Sequence, residues 1–146
     1  MALFLIQGPA GAGKSQLAAD MLAAGEVQVL ADVTSLWAAL SGAVRGPDGR
    51  YPVRSNDDPA LEVARYIQRV AVRRALETGA DVAVTTSQRG QENSWRTWAD
   101  NAGTDFQVRT VDPGLDVVRA RLADDTGDLS QACQDAIGRW YSEFSG

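Results

Sequence analysis

Histidine is absent from this chain of 146 residues, and lysine and cysteine occur once each, as Lys14 and Cys133. Without histidine, Ser-His-Asp and Cys-His nucleophiles and most zinc ligand sets are excluded. A lone cysteine forms no internal disulfide and fits a reducing compartment. No apolar run approaches the roughly 20 residues that span a bilayer. The N-terminal "MALFLIQGPAG" lacks a basic region, and its apolar run stops at Gly8-Pro9, so it does not read as a signal peptide. A soluble, cytoplasmic protein without membrane partners is expected. Basic residues are also scarce, 14 against 19 acidic, for a net charge of -5. That balance argues against a broad surface for duplex nucleic acid, where Lys and Arg dominate binding. It leaves room for a local arginine cluster around one phosphate. Catalysis is therefore left to carboxylates, hydroxyls, arginines, Lys14 and backbone amides, with or without a bound metal ion.

What is present is an alternation of short elements. The chain is 45% apolar, enough for one domain over residues 1–146. "ALFLI", residues 2–6, is a strand-length apolar run of the kind buried on both faces of a sheet. "KSQLAADMLAAG" predicts a helix with Leu17, Met21 and Leu22 inward and Gly25 as its stop. A strand over 27–31 and a helix ending near Gly42 follow. The segment 45–58 is rich in Gly, Pro, Asp and Asn and predicts a long loop, insert-like and mobile. The helix over 60–78 places Leu61, Ala64, Ile67, Val70, Ala71 and Leu76 on its core face and stops at Gly79. Then come a strand over 81–87, a helix around 93–102, a strand over 105–112, a helix over 114–125 and a last helix to Phe144. Asp128 or Ser130 caps the last helix. This order predicts an α/β, three-layer α/β/α P-loop NTPase fold with a short, mostly parallel sheet of four to five strands. Ligands then bind beyond the carboxyl ends of the strands.

Residues 8–15, "GPAGAGKS", fit G-x-x-x-x-G-K-[ST], between a strand and a helix. Gly8, Gly11 and Gly13 let the backbone wrap a phosphate. The amides of Ala10, Ala12, Lys14, Ser15 and Gln16 complete an anion nest at a helix N-terminus. Lys14 reaches the β- and γ-phosphates, and Ser15 offers its hydroxyl to Mg²⁺. All 13 other basic residues are arginine. A lone lysine here suits a loop where a curled ammonium fits and a planar guanidinium does not. ATP or another nucleoside triphosphate is the expected ligand.

Asp32 ends the second strand, where it either acts as general base for an acceptor hydroxyl or caps the next helix; both roles are compatible. Thr85, Thr86 and Ser87 end the third strand, where many P-loop proteins carry a metal-holding acid. Arg89 follows that strand and should approach the ligand. Arg119 and Arg121 fall in a region, 113–128, that predicts a lid over the triphosphate. Each arginine is equally compatible with a solvated helix face. Arg45, Arg50, Tyr51 and Arg54 give the long loop the means to hold an anionic acceptor. Trp95, Trp98 and Trp140 read as packing residues.

With "IQGPAGAGKSQLA", Asp32, and "VRTVDPGLDVVRARLADDTGDLSQACQDAIGRWYSEF" in this order, the chain resembles the small P-loop kinases of the polynucleotide-kinase and zeta-toxin-like type, with a phage-encoded style. The resemblance covers most of the chain in element order, but only the P-loop is specific as a motif. It implies that Asp32 is the general base, Arg119 or Arg121 the lid arginine, and a nucleoside, nucleotide or polynucleotide 5′ end the acceptor. The chain departs from that pattern at Thr85 and Thr86, where the family is usually acidic. The alternative is a nucleotide-binding or slowly hydrolysing protein with an assembly or regulatory role. A motor ATPase is the weakest reading, since the chain offers no convincing acid to activate water.

Overall fold

The computed structural model describes residues 1–47, 49–123 and 127–142. Every second side chain of the first strand faces a different core. β1 (Ala2–Gln7) sends Leu3 and Leu5 to one side of the sheet and Phe4 and Ile6 to the other, and all four are buried. Fully burying a side chain of this size contributes about 1.5–3 kcal/mol. A strand covered on both faces belongs inside a parallel sheet, and β1 is central. It pairs in parallel with β3 (Val82–Thr86) and β4 (Asp105–Thr110), while β2 (Val29–Ala31) pairs with β3. The order is β2-β3-β1-β4. Among the described residues the sheet has four strands.

Helices cover both faces, an arrangement compatible with three α/β/α layers. α1 (Lys14–Ala23) packs Ala18 and Met21 onto Phe4, Ile6 and Ala83. α3 (Pro59–Thr78) and α4 (Glu92–Ala102) pack Val72, Ala75, Leu76, Trp95 and Ala99 onto Leu3, Leu5, Val82 and Val84. α2 (Val33–Ser41) and α3 share a further cluster built on Trp37, Leu61 and Ala64. α5 (Leu115–Leu122) and α6 (Gln131–Ser142) complete the fold. Among the described residues no helix is long and apolar enough to cross a membrane.

Several expectations shift. Val70 is 49% exposed and Leu22 43% exposed; in α3 the inward positions include Gln68 instead. Periodicity in hydrophobicity cannot find a polar residue that faces inward for its hydrogen bonds. The second strand starts at Val29, although Val27 is buried. Gly79 ends α3 in the left-handed conformation as expected. Ser130 stands at the head of α6, its Oγ accepting from the Cys133 N–H at 3.2 Å. The long loop is anchored: Asp58 caps α3 through Ala60 N–H at 2.9 Å and accepts from Trp37 Nε1 at 2.8 Å. The parts of the loop, of the 113–128 region and of the last helix at 48, 124–126 and 143–146 lie outside the described residues.

Candidate functional site

The carboxyl end of β1 turns directly into the glycine-rich loop. The Gly8 N–H still donates to Thr86 O at 3.2 Å, so the loop begins as a continuation of the sheet. Gly8 is needed for close approach: a Cβ there would lie 2.1 Å from the Val111 carbonyl oxygen, beyond β4. Gly13 holds φ 102 immediately before α1 and offers no side-chain cap. The first-turn amides of Lys14, Ser15 and Gln16 therefore keep the donors that a helix start leaves unused, with the positive end of the helix dipole behind them. The Ala12 N–H is engaged within the loop, donating to Pro9 O at 3.2 Å.

Lys14 curls back over this loop. Its Nζ donates to Gly8 O and Pro9 O, each at 2.8 Å. Burial pushes its ammonium down from the ordinary 10.5 to about 7; the Arg54 charge adds to that push and Asp32 opposes it. Lys14, Arg54 and Asp32 thus share one electrostatic neighbourhood.

Asp32 is 2% exposed. Its Oδ2 accepts from Ser35 Oγ at 2.7 Å and from Ser35 N–H at 3.4 Å, which caps α2. Its Oδ1 accepts from Thr85 Oγ1 at 2.7 Å. The cap role expected for Asp32 is therefore present. A carboxylate has about four lone-pair positions, so Oδ1 retains one acceptor site. Thr85, near the end of β3, orients Asp32 through this bond. Gln68 locks the pair of strand ends: its Nε2 donates at 2.8 Å to both Ala31 O and Thr85 O.

The predicted arginines separate into three situations. Arg121 reaches the loop, its Nη1 donating to Gly11 O at 3.1 Å and Ala12 O at 3.3 Å. Arg119 is exposed. Two residues along a helix is about 200°, so it faces away when Arg121 faces the loop. Arg89 points to α6: its Nε donates to Trp140 O at 2.9 Å and its guanidinium lies 4.0 Å from the Trp140 ring centre. Nearby, Asp112 accepts from Tyr141 at 2.8 Å, from Trp140 Nε1 at 3.4 Å and from the Gly114 amide at 3.0 Å. Burial and that bond to Asp112 raise the Tyr141 hydroxyl to about 12.

Beyond Asp32 and Thr85 opens a cavity of about 190 Å³. Its walls include Arg54, Arg65, Gln68, Arg69, Gln88, Gln91, Trp95 and Trp98. The two tryptophan rings meet edge to face at 5.2 Å. Sequence reasoning singled out Arg54, Trp95 and Trp98 but missed Arg65, Gln68 and Arg69, which sit in a helix read there for its apolar face. Their spacing of three and four was the available signal, since it puts all three on neighbouring faces of α3.

Among the described residues no group of three or more Asp, Glu or Cys side chains gathers to hold a metal. A cation here would rest on Ser15, ligand phosphates and the Asp32 region. No protein-family model matches the chain, and comparison with curated proteins finds no match.

Proposed function

We propose that the protein is an ATP-dependent phosphotransferase on a P-loop fold, moving the γ-phosphoryl group of ATP or another nucleoside triphosphate to a hydroxyl. The observation that carries this reading is Lys14 curled over a glycine-rich loop that leads into an uncapped helix start, with Asp32 in the same electrostatic neighbourhood. Left-handed Gly11 and Gly13 and the uncapped helix start support a polyphosphate here, because the first-turn amides of α1 keep donors for an anion. Ser15, with the ligand phosphates, would hold a Mg²⁺ arriving with the nucleotide, which would neutralise phosphate charge.

The chain's own groups do the rest. Lys14 leaves the carbonyls of Gly8 and Pro9 and turns to the phosphates. The amides of the first turn hold the transferring group in place. Asp32 Oδ1 accepts the proton of the acceptor hydroxyl. The hydroxyl oxygen bonds to the γ-phosphorus, and the bond from that phosphorus to the bridging oxygen breaks. The nucleoside diphosphate departs with the electron pair. Arg121, already on the loop, adds positive charge next to it.

The test is ADP formation from Mg-ATP across a panel of nucleosides, nucleotides and 5′-hydroxyl oligonucleotides. Turnover that rises with one acceptor and disappears in Lys14→Ala is expected. Absence of Mg-nucleotide binding to the intact chain would sink the reading.

A second reading, nucleotide binding with slow or no turnover in an assembly or regulatory role, has one observation in its favour. The end of β3 carries Thr85 and Thr86, and both oxygens of Asp32 are already engaged. Tight binding with flat turnover over the whole panel would select it.

A further inference from the structure

The cavity beyond Asp32 is lined by arginines that make no ion-pair contact among the described residues. Arg54, Arg65 and Arg69 contribute to its wall. Arg139 of α6 is near enough to push down the proton affinity of both Arg54 and Arg65. Among the described residues no ion pair joins any of these four. The acidic neighbours Asp32 and Asp58 offset part of the Arg54 charge from a distance, but their hydrogen bonds go to Thr85, Ser35, Trp37 and the head of α3, and neither contacts the guanidinium. Arg54 Nε is buried and has no hydrogen-bond partner. Like charges gathered in a partly desolvated pocket repel one another. A buried, unpaired donor costs a further desolvation penalty. One dianion relieves both, because a guanidinium meets a phosphate with two parallel bonds.

We propose that this cavity is an anion pocket for a phosphomonoester, so that the acceptor is a small phosphorylated alcohol of mononucleotide size and not an uncharged nucleoside. The acceptor assignment rests on the phosphotransferase reading above; the anion pocket does not. Among the described residues no carboxylate lines the cavity, and Gln88, Gln91 and Ser94 supply neutral donors and acceptors for a sugar. Its volume, about 190 Å³, is below the roughly 300–1,000 Å³ that encloses a drug-sized ligand, so it takes the phosphate end of such an acceptor and leaves the remainder at its mouth. A net charge of -5 opposes a long polyanion.

The experiment is calorimetric titration of the full chain, without ATP, using inorganic phosphate, ribose 5-phosphate, a nucleoside 5′-monophosphate and the matching nucleoside. The monophosphate should bind at least about tenfold more tightly than the nucleoside. Arg65→Gln with Arg69→Gln should remove that preference, and so should Arg54→Gln alone. Lys14→Ala should leave it in place. Equal affinity for nucleoside and monophosphate overturns the proposal. So does a preference that survives both sets of arginine variants in folded protein, or one that Lys14→Ala abolishes, since the anion would then sit in the glycine loop. A 5′-hydroxyl oligonucleotide that binds about tenfold more tightly than the monophosphate overturns the small-acceptor assignment. Ribose 5-phosphate matching the nucleotide assigns recognition to the sugar phosphate; a tighter nucleotide adds the base. Both support the pocket. Monophosphate binding without ADP formation leaves the pocket standing and removes the phosphotransferase reading.

Discussion

The two halves of the candidate site are made from different materials. The glycine loop is backbone: amides, carbonyls and one lysine whose ammonium is already held by Gly8 O and Pro9 O. The cavity beyond Asp32 is side chain: arginines, glutamines and tryptophans from the 45–58 loop, α3, the turn at 88–91 and α4. In the first, the resting cation has substitutes for its ligand. In the second, Arg54 Nε has none. A contiguous site can close on itself when empty, whereas a site assembled from distant segments keeps its charges where the packing puts them.

That contrast can be broken at several points. The largest effect belongs to Lys14→Ala, which should weaken Mg-nucleotide binding by about 100-fold, or about 2.7 kcal/mol, from the loss of charge-assisted contacts. Titration with a nonhydrolysable analogue measures it, and an unchanged affinity would mean that the loop is not the phosphate site. Next is Gly8→Ala, where the new methyl meets Val111 O. Forcing a methyl into a backbone carbonyl should lower unfolding stability by about 1–3 kcal/mol. A melting curve identical to wild type would show that β4 yields at no cost.

Gln68→Met keeps the volume but strands the carbonyls of Ala31 and Thr85. The expected loss is about 1–3 kcal/mol in urea unfolding, and acceptor-dependent turnover should fall more than nucleotide affinity. Equal losses in both would separate Gln68 from the aim of Asp32. The smallest effect is a proton count. The empty protein lowers Lys14 to about 7, so near pH 8.5 it holds this lysine largely neutral, and a polyphosphate restores the ammonium. Binding enthalpies across buffers of different ionisation enthalpy should reveal uptake approaching one proton at pH 8.5, vanishing near pH 6. The linkage has a matching sign for folding. Between about 7 and 10.5 the unfolded chain binds more protons, so Lys14's contribution to the stability of the empty protein rises with pH across that window.

Legibility in the sequence followed the same division. The loop at 8–15, the strand before it, the helix after it and the glycine stop of α3 depend on neighbours in the chain, and patterns of neighbours expose them. Asp32 was legible as a cap because Ser35 stands three residues on. The partnership of Asp32 with Thr85 was not, since 53 residues separate them and only the β2–β3 pairing brings them together. Gln68 drew no notice from apolar periodicity, which selects only the apolar residues of the helix. Its place was decided by two strand-end carbonyls in need of donors, a demand that appears only once the sheet exists. Arg119 and Arg121 looked equivalent because composition ignores the turn of a helix; only Arg121 touches the loop.

The two strands that flank β1 share no ladder with each other, yet α6 grips residues just past the tips of both: Arg89 after β3, through Trp140, and Asp112 after β4, through Tyr141 and Trp140. The last described helix is thus a crossbar over the mouth from which the glycine loop emerges. A chain trimmed back from that side would lose the alignment of its rim while its sheet still stood.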